Sequence, residues 1–195
     1  PAQQASLRAG GWQTSVGWGT EGRTLGVVGL GKLGARAAKV GLALGMKVVA
    51  WSTNLTEERA AEVGVTRVDK ATLLATADVV TLHLILSERS RGIIGAADLA
   101  QMKPTAFIVN TSRGPLIDQD ALIAALKAGT IAGAGIDVYD SEPLPPGHPM
   151  LSAPNTMLTP HLGYVTQQNY RAYYEGAAEA VAAFNAGAPV RVIKA

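Results

Sequence analysis

The sequence predicts an α/β fold with a doubly wound, mostly parallel sheet that carries helices on both faces. Three observations support this class: short apolar runs alternate with stretches of helical spacing, the runs lack polar alternation, and one run leads into a glycine-rich turn. Apolar strands separated by helices are typical of parallel sheets, because right-handed crossovers cover both faces of the sheet.

The apolar runs divide the chain into regularly spaced strands. They are residues 24–30, 46–52, 77–86, 105–112, 132–139 and 155–161. Few polar residues interrupt these runs, so we expect each strand to be buried on both sides.

The helices predicted around these strands have recognisable ends. They span residues 32–45, 56–64, 69–77, 118–129 and about 164–186. Thr56 and Asp69 are suited to cap helix starts, and Gly64 and Gly129 are suited to end helices. Residues 141–154 contain five prolines and one glycine, which excludes a helix or a central strand. We interpret this segment as a spacer or as a rigid loop.

Composition and charge limit the classes of function. The chain is 48% hydrophobic and 16% charged, which is ordinary for a folded globular protein and excludes a disordered one. A net charge of +2 without a dense basic patch argues against nucleic-acid binding. No apolar run approaches a membrane span, the start does not resemble a signal peptide, and no cysteine offers a disulfide or a thiolate metal site. We therefore expect a cytoplasmic protein.

The glycine-rich turn predicts a dinucleotide site of the Rossmann type. Gly29, Gly31 and Gly34 follow the pattern G-x-G-x-x-G directly after an apolar strand, where a helix opens that leads to a second strand. The first glycine permits the tight turn, the second lets the backbone approach a pyrophosphate, and the third lets helix and strand pack closely. The helix N-terminus favours phosphate. The alternative is a small-residue turn that binds nothing.

The second strand ends in Ser52, where such sites usually have an acid that binds the ribose 2′-hydroxyl and repels a 2′-phosphate. Ser52, Thr53 and Asn54 can hydrogen-bond a ribose but repel no phosphate, so we expect weak discrimination against NADP. NAD, NADP or both remain open as cofactors. Arg59 could reach such a phosphate, although a solvated surface charge is the simpler interpretation.

Three polar side chains lie at strand ends or in the adjoining loops. They are Arg113 in NTSRGPLID, Glu142 in IDVYDSEPLP and His161 in LTPHLGY. The carboxyl ends of parallel strands face the ligand crevice, so all three side chains could point to a bound nicotinamide. Each also has a structural interpretation, as a strand cap, a solvated loop acid and a helix-entry residue respectively.

Four segments together resemble a known family. GRTLGVVGLGKLG, MKPTAFIVNTSRGPLIDQDALIAAL, GIDVYDSEPLP and TPHLGY occur in the order and spacing of the NAD-binding domain of the D-isomer-specific 2-hydroxyacid dehydrogenases, which include phosphoglycerate dehydrogenase and glyoxylate/hydroxypyruvate reductase. The resemblance extends from about Gly10 to about Gly187. It implies that Arg113, Glu142 and His161 are catalytic.

The resemblance also bears on the cofactor contacts. Asp137 corresponds to the residue that holds the nicotinamide carboxamide, and Lys32 and Leu33 belong to the cofactor-contacting turn. His83 either flanks the adenine or is a core or rim histidine; the run HLILS lacks the proline that the family often has there. The candidate cofactor contacts are Gly29, Gly31, Lys32, Leu33, Gly34, Ser52, Thr53, Asn54, His83, Thr111, Ser112, Arg113, Asp137, His161 and Gly163. His148 is interpreted as a loop residue, and three scattered histidines make no metal site.

The residue types also suit the interconversion of a 2-keto acid and a 2-hydroxy acid. This reaction needs a hydride, a proton and a grip on the substrate carboxylate, and a nicotinamide supplies the hydride. Arg113 offers a planar, permanently charged fork for a carboxylate or keto oxygen. Histidine titrates near neutral pH, so His161 can deliver the proton. Glu142 would hydrogen-bond the imidazole and favour its protonated form.

The resemblance predicts the domain organisation. Residues 1–195 are expected to form a dinucleotide-binding domain, with about 1–22 and 164–195 as interdomain and returning segments and with the family's N-terminal substrate domain outside this chain. We therefore expect the chain alone to bind cofactor but to turn over poorly or not at all. The family also implies a small 2-keto or 2-hydroxy acid as substrate and a homodimer formed through this domain.

Two other functions remain open. Corepressors that sense NAD(H) share the fold and retain the Arg, Glu and His, so a binding protein is the alternative to an oxidoreductase. The third possibility is a nucleotide-binding fold whose chemistry has decayed.

Overall fold

A single sheet of parallel strands organises residues 2–193, the part of the chain that the computed structural model describes. The strands are β1 (Thr24–Val28), β2 (Lys47–Trp51), β3 (Thr66–Arg67), β4 (Val79–Leu82), β5 (Phe107–Asn110), β6 (Gly133–Ile136) and β7 (Thr156–Leu158). Their order across the sheet is β3-β2-β1-β4-β5-β6-β7, and every pair is parallel. The chain thus starts at the centre and builds outward in both directions, which confirms the predicted doubly wound class.

Helices connect most of these strands. They are α1 (Ala2–Arg8), α2 (Lys32–Ala43), α3 (Glu57–Val63), α4 (Lys70–Thr76), α5 (Ala96–Leu99), α6 (Gln119–Ala128) and α7 (Gln167–Asn185), with short 3₁₀ turns at Gly114–Leu116 and Pro149–Ser152. Thr56 and Asp69 each accept a hydrogen bond from the amide three residues on, at 3.2 and 2.8 Å, and Gly64 and Gly129 end α3 and α6. The helix ends predicted at these four residues are confirmed. Among residues 2–193, no helix has the length and apolar character needed to cross a lipid bilayer.

The strand predicted over 77–86 is shorter than expected. β4 ends at Leu82, and the amide of His83 makes a last bond to the carbonyl of Val28 at 2.8 Å before the chain enters a turn that Ser90 closes. The Ser90 hydroxyl accepts from the amide of Ser87 at 2.8 Å and donates to the carbonyl of Ile85 at 2.7 Å. These side-chain bonds hold the turn, and Leu84 and Leu86 still pack against the core.

Several short elements depart from the sequence-based prediction, including α1 and the 3₁₀ turn Gly114–Leu116, which were not among the predicted helices. Segment 141–154 contains the 3₁₀ turn Pro149–Ser152, so the exclusion of helix there was wrong for one turn; proline suits the first position of a helical turn. β3 and α5, with two and four residues, were not predicted because they are too short to show a period.

The central strands are buried on both faces, as the apolar runs predicted. Leu25 and Val27 pack into one apolar cluster with residues of α2 and α3. Val28 packs into a second cluster with residues of α4 and α6. Alternate side chains of one strand therefore serve opposite layers, which is why the strand sequence contains no polar alternation.

A charged cluster fixes the amino ends of β1 and β4. Asp78 accepts from the backbone N–H of Thr24 at 2.8 Å and from Lys103 Nζ at 3.0 Å, and Arg23 Nη1 lies 3.7 Å away. Burial raises the pKa of Asp78, but the amide, the lysine and the arginine outweigh it, so the pKa lies below its ordinary value. Asp78 thus links β1 and β4 at their amino ends, whereas the site described next lies at the carboxyl ends of the strands.

Candidate active site

A cleft of about 390 Å³ opens at the carboxyl ends of β1, β2 and β4, where the strand order reverses direction. Ligands bind at such switch points in open α/β sheets. Gly29 and Gly31 line the cleft from the end of β1, residues 52–54 from the end of β2, and His83 from the end of β4. The fold therefore brings together predicted contacts that are more than fifty residues apart in the sequence.

The glycine turn has the shape that a dinucleotide diphosphate requires. Gly29 has φ +98°, and a Cβ on it would lie 2.8 Å from the carbonyl of His83. A Cβ on Gly34 would lie 1.9 Å from the carbonyl oxygen of Gly29, so only glycine lets α2 pack against the end of β1. A Cβ on Gly31 would meet nothing within 4 Å, and no side chain caps α2. The first-turn N–H groups of α2 are thus available to an anion, and these residues fit the cofactor's diphosphate.

Several predicted contacts lie outside the lining of this cleft. They are Lys32, Leu33, Gly34, Thr111, Ser112, Arg113, Asp137, His161 and Gly163. Arg59 also lies outside it and pairs with Glu62 at 2.8 Å, which supports the surface-charge interpretation of this arginine. Arg89, which the sequence analysis did not single out, lines the cleft together with residues 52–54.

His83 lies between the core and the cleft. Its Nε2 is 3.0 Å from the hydroxyl of Thr81, and burial lowers the pKa of the imidazole. The ring is therefore neutral at neutral pH. Its position combines the two predicted alternatives, because a histidine at the rim of the core also lines the ligand cleft.

Glu142 and His161 form a hydrogen-bonded pair. His161 Nδ1 lies 2.7 Å from Glu142 Oε2, and Glu142 Oε1 accepts from the amide of Tyr139 at 2.9 Å. Burial raises the pKa of Glu142, but the bonds from His161 and Tyr139 and the charges of His161 and Arg113 outweigh it. The pKa of Glu142 therefore lies below its ordinary value, and the carboxylate is ionised at neutral pH. An ionised Glu142 fixes the tautomer with the proton on Nδ1 and leaves Nε2 of the ring for other chemistry.

Asp137 builds the loop that carries His161. Its side chain is 5% exposed, and the carboxylate accepts from the amides of Leu162 at 2.7 Å and Gly163 at 2.9 Å and from the hydroxyl of Thr159. Burial raises its pKa, but these three bonds and the charge of His161 outweigh it and keep the pKa below its ordinary value. Asp137 thus has structural partners within the chain, and the carboxamide contact that the resemblance implies stays a prediction.

Arg113 is held by the end of β5. Asn110, 1% exposed, donates from Nδ2 to the carbonyl of Arg113 at 2.9 Å and accepts from the amide of Ser112 at 3.0 Å. The Ser112 hydroxyl donates to the carbonyl of Leu82 at 2.7 Å, which ties this loop to β4. The guanidinium is exposed and contributes to lowering the pKa of Glu142, so both groups belong to one electrostatic site.

An apolar cavity of about 620 Å³ adjoins the Glu142–His161 pair. Leu144, Leu151 and Leu158 line it together with the two polar side chains. One side of the pair therefore faces hydrocarbon, while the side chains of His161 and Glu142 remain 30% and 35% exposed.

His148 has the loop role predicted for it. Its Nδ1 accepts from the amide of Met150 at 3.2 Å, and its Nε2 lies 3.1 Å from Nε2 of Gln119. Within residues 2–193, no three histidine, aspartate or glutamate side chains are grouped so that they could hold a metal ion.

Three positioning residues escaped the sequence analysis: Asn110, Tyr139 and Thr159. Each lies within three residues of a motif residue, at or just past the end of an apolar strand. Tyr139 donates its hydroxyl to the carbonyl of Thr159 at 3.0 Å, which links the ends of β6 and β7. A polar residue at or just past the end of an apolar strand is the signal that could have identified all three, because polar groups that are shielded from solvent need partners.

The sequence and the fold were compared with known proteins. Residues 1–163 match the family model described as D-isomer specific 2-hydroxyacid dehydrogenase, NAD binding domain. A glyoxylate reductase of Korarchaeum cryptofilum is 40% identical over 187 residues, which cover 93% of this chain and 56% of the reductase. The chain therefore spans about half the length of this relative.

Solved structures give the same result for the fold. The crystal structure of a phosphoglycerate oxidoreductase from Vibrio cholerae superposes with a TM-score of 0.90 at 41% identity, covering 96% of this chain and 62% of the other. The D-lactate dehydrogenase of Aquifex aeolicus, solved with NAD and lactic acid, gives a TM-score of 0.84 at 27% identity, covering 94% and 60% respectively.

Proposed function

This chain belongs to the D-isomer-specific 2-hydroxyacid dehydrogenases as their NAD-binding domain, and on that basis we propose that it serves an oxidoreductase that interconverts a D-2-hydroxy acid and its 2-keto acid. The observation that carries the proposal is the hydrogen bond of 2.7 Å between His161 and Glu142. It supplies a proton donor at the carboxyl ends of the strands, where the glycine turn also lies. The chemistry then follows from the residues that surround this pair.

His161 is the proposed acid and base. With Nδ1–H donated to Glu142, Nε2 carries the proton that reaches the keto oxygen during reduction, and it takes the proton back during oxidation. Glu142 stabilises the imidazolium form because it is ionised at neutral pH. Among residues 2–193, Nε2 of His161 has no hydrogen-bond partner, so it is open to a substrate.

Arg113 is the proposed substrate anchor. Its exposed guanidinium can hold the substrate carboxylate or the keto oxygen through paired hydrogen bonds. Asn110 fixes the backbone of Arg113, so the position of the anchor is set by β5 rather than by a mobile loop.

The cofactor would be held by the glycine turn and the cleft. The first-turn amides of α2 after Gly31 would bind the diphosphate, residues 52–54 the adenosine ribose, and His83 the adenine side. When bound, the nicotinamide supplies or accepts the hydride. NAD is the cofactor of this family of domains, and we propose NADP as a second cofactor because no carboxylate follows β2.

Two measurements test this function. Calorimetry should detect NADH binding by the chain; if neither NADH nor NADPH binds, the proposal fails. The intact protein should reduce glyoxylate or hydroxypyruvate, His161→Ala should abolish this, and the loop variant His148→Ala should retain it. Tight NADH binding with negligible turnover and a bound protein partner would favour an NAD(H)-sensing protein.

We also propose a homodimer formed through this domain. Large apolar side chains are exposed on the two terminal segments, among them Trp12 at 74%, Val16 at 99%, Tyr174 at 70% and Phe184 at 72%. Such exposure is typical of surfaces that are covered by another subunit or domain. A monomeric mass by light scattering at micromolar concentration would contradict the dimer. The cytoplasmic location stays a prediction.

A further inference from the structure

Within residues 2–193, the lining of the cleft at the ends of β1, β2 and β4 contains one cation, Arg89. Ser52 marks the adenosine side of this cleft, because the residue that follows β2 faces the adenosine ribose in folds of this type. Arg89 lies in the segment after β4 and lines the same cleft as Ser52, Thr53 and Asn54. The segments that follow β2 and β4 therefore bring a guanidinium, two hydroxyls and an amide into the lining of one cleft.

The Arg89 side chain is not engaged elsewhere. Within residues 2–193, it makes no hydrogen bond and no ion pair, and it is exposed. The arginines of the neighbouring helix and strand differ: Arg59 pairs with Glu62 at 2.8 Å, and Arg67 pairs with Glu57 at 3.1 Å. A guanidinium without a partner, facing a cleft, is available to a ligand anion.

A fixed turn presents Arg89 to the cleft. Its neighbour Ser90 is 7% exposed, and the Ser90 hydroxyl bonds both the amide of Ser87 and the carbonyl of Ile85. The backbone on either side of Arg89 is therefore held in place. The turn therefore sets the place of the Arg89 backbone at the cleft.

In the described part of the chain, residues 2–193, no carboxylate lines the cleft. Its thirteen lining residues include the hydroxyl side chains of Ser52 and Thr53, which follow β2. A carboxylate at the end of β2 would repel a 2′-phosphate, whereas these hydroxyls can donate to it. Charge and hydrogen-bonding capacity thus favour a phosphate at this place.

We propose that Arg89 binds the 2′-phosphate of NADP(H), with the side chains of residues 52–54 completing the subsite. The inference rests on the proposed function, because it assumes a dinucleotide in the cleft. It assigns cofactor specificity to a residue that follows β4, across the switch point from residues 52–54. That residue would recognise the 2′-phosphate, which distinguishes NADP(H) from NAD(H). The cleft should then bind NADPH at least as tightly as NADH.

Calorimetric titration of the chain with NADH and with NADPH tests the subsite. We expect Arg89→Ala to weaken NADPH binding by about tenfold or more and to change NADH binding by less than about twofold, because a lost charge-assisted contact affects only the phosphorylated cofactor. Arg59→Ala is the matched control and should leave both affinities unchanged, because its guanidinium is paired with Glu62. Ser52→Asp should weaken NADPH binding selectively.

Each other result counts against the subsite. Unchanged NADPH affinity in Arg89→Ala, or NADH binding more than about tenfold tighter than NADPH in the unmodified chain, overturns the role of Arg89. If Arg89→Ala weakens NADH and NADPH binding equally, the arginine contacts a part of the dinucleotide that both cofactors share and not the 2′-phosphate. If the unmodified chain binds neither cofactor, the dinucleotide function itself fails and the subsite fails with it; NADH binding alone leaves that function standing and removes only the subsite.

Discussion

The amide of His161 donates to the carbonyl of Asp137 across 2.8 Å, and this bond holds the candidate proton donor at the end of the sheet. His161 has φ 55°, a left-handed conformation that is uncommon for a residue other than glycine. The Asp137 carboxylate stabilises that conformation, because it accepts from the next two amides, those of Leu162 and Gly163. One buried aspartate therefore supports the strained backbone on which the site depends.

Asp137→Asn should destabilise the protein and misplace His161. An asparagine offers one acceptor where the carboxylate receives three donors, so its amide group opposes at least one backbone N–H. We expect the free energy of unfolding to fall by about 1–3 kcal/mol in a urea titration, because buried donors lose their partner. Asp140→Asn is the matched control. Burial raises the pKa of Asp140, and the acidic neighbours Asp118 and Asp120 raise it further, so removal of its negative charge should not destabilise the fold. Equal stability of both variants would contradict the structural role of Asp137.

Glu142→Gln should reduce turnover without removing cofactor binding. The amide keeps the shape of the side chain but no longer stabilises a charged imidazole, so kcat/KM of the intact protein should fall about 10²-fold. Calorimetry should give unchanged NADH affinity, because Glu142 does not line the cofactor cleft. A variant with full turnover would show that His161 acts without this partner.

The same substitution predicts a pH dependence of stability. The pKa of Glu142 is lowered in the folded state, so the carboxylate stabilises the fold above its ordinary value of 4.5 and loses this contribution as the pH falls through the lowered pKa. The stability difference between the natural protein and Glu142→Gln should therefore shrink as the pH falls below about 4.5. Denaturant titrations at pH 5 and at pH 3 to 4 measure it; a difference that grows between these values would contradict the prediction.

Alanine at Gly34 and at Gly31 should separate folding from binding. Gly34→Ala places a Cβ 1.9 Å from the carbonyl oxygen of Gly29 and should cost about 1–3 kcal/mol of stability, as overpacking does. Gly31→Ala meets nothing in the chain, so its melting temperature should change little. Its NADH affinity should fall by about tenfold, because the methyl group occupies the space of the diphosphate. Unchanged NADH binding in Gly31→Ala would place the diphosphate elsewhere.

Asp78 should account for part of the acid sensitivity of the fold. Its pKa is lowered, so its bonds to Thr24 and Lys103 stabilise the protein above the ordinary value of 3.8 and are lost as the pH falls through the lowered pKa. Asp78→Ala should lose about 1–3 kcal/mol at pH 7, because the amide of Thr24 and the two cations keep no acceptor. Glu57→Ala, which breaks an exposed pair with Arg67, should change stability by less than about 1 kcal/mol. Similar losses of stability in Asp78→Ala and Glu57→Ala would mean that the burial of Asp78 adds nothing to the strength of its interactions.

Much of the fold was predictable because its signals are local. The apolar runs, the caps at Thr56 and Asp69 and the glycine turn each depend on residues that are neighbours in the chain. The caps were found where predicted, and each apolar run contains one strand of the sheet. β3 and the 3₁₀ turn at Pro149–Ser152 were missed, because two or four residues carry no readable period. The strand that stops at Leu82 was predicted too long. The apolar run conceals a turn in which the Ser90 hydroxyl donates to the carbonyl of Ile85.

The sequence by itself determined the α/β class and the glycine turn, and it predicted Arg113, Glu142 and His161 as candidate site residues, because motif order and apolar periodicity are properties of the chain alone. Only the tertiary structure decided which groups meet. It joined His161 to Glu142, engaged Asp137 with the loop after β7, and placed Arg89 rather than Arg59 in the cofactor cleft. These pairings depend on the order of strands across the sheet and on the paths of the loops, which arise from packing between segments far apart in the sequence.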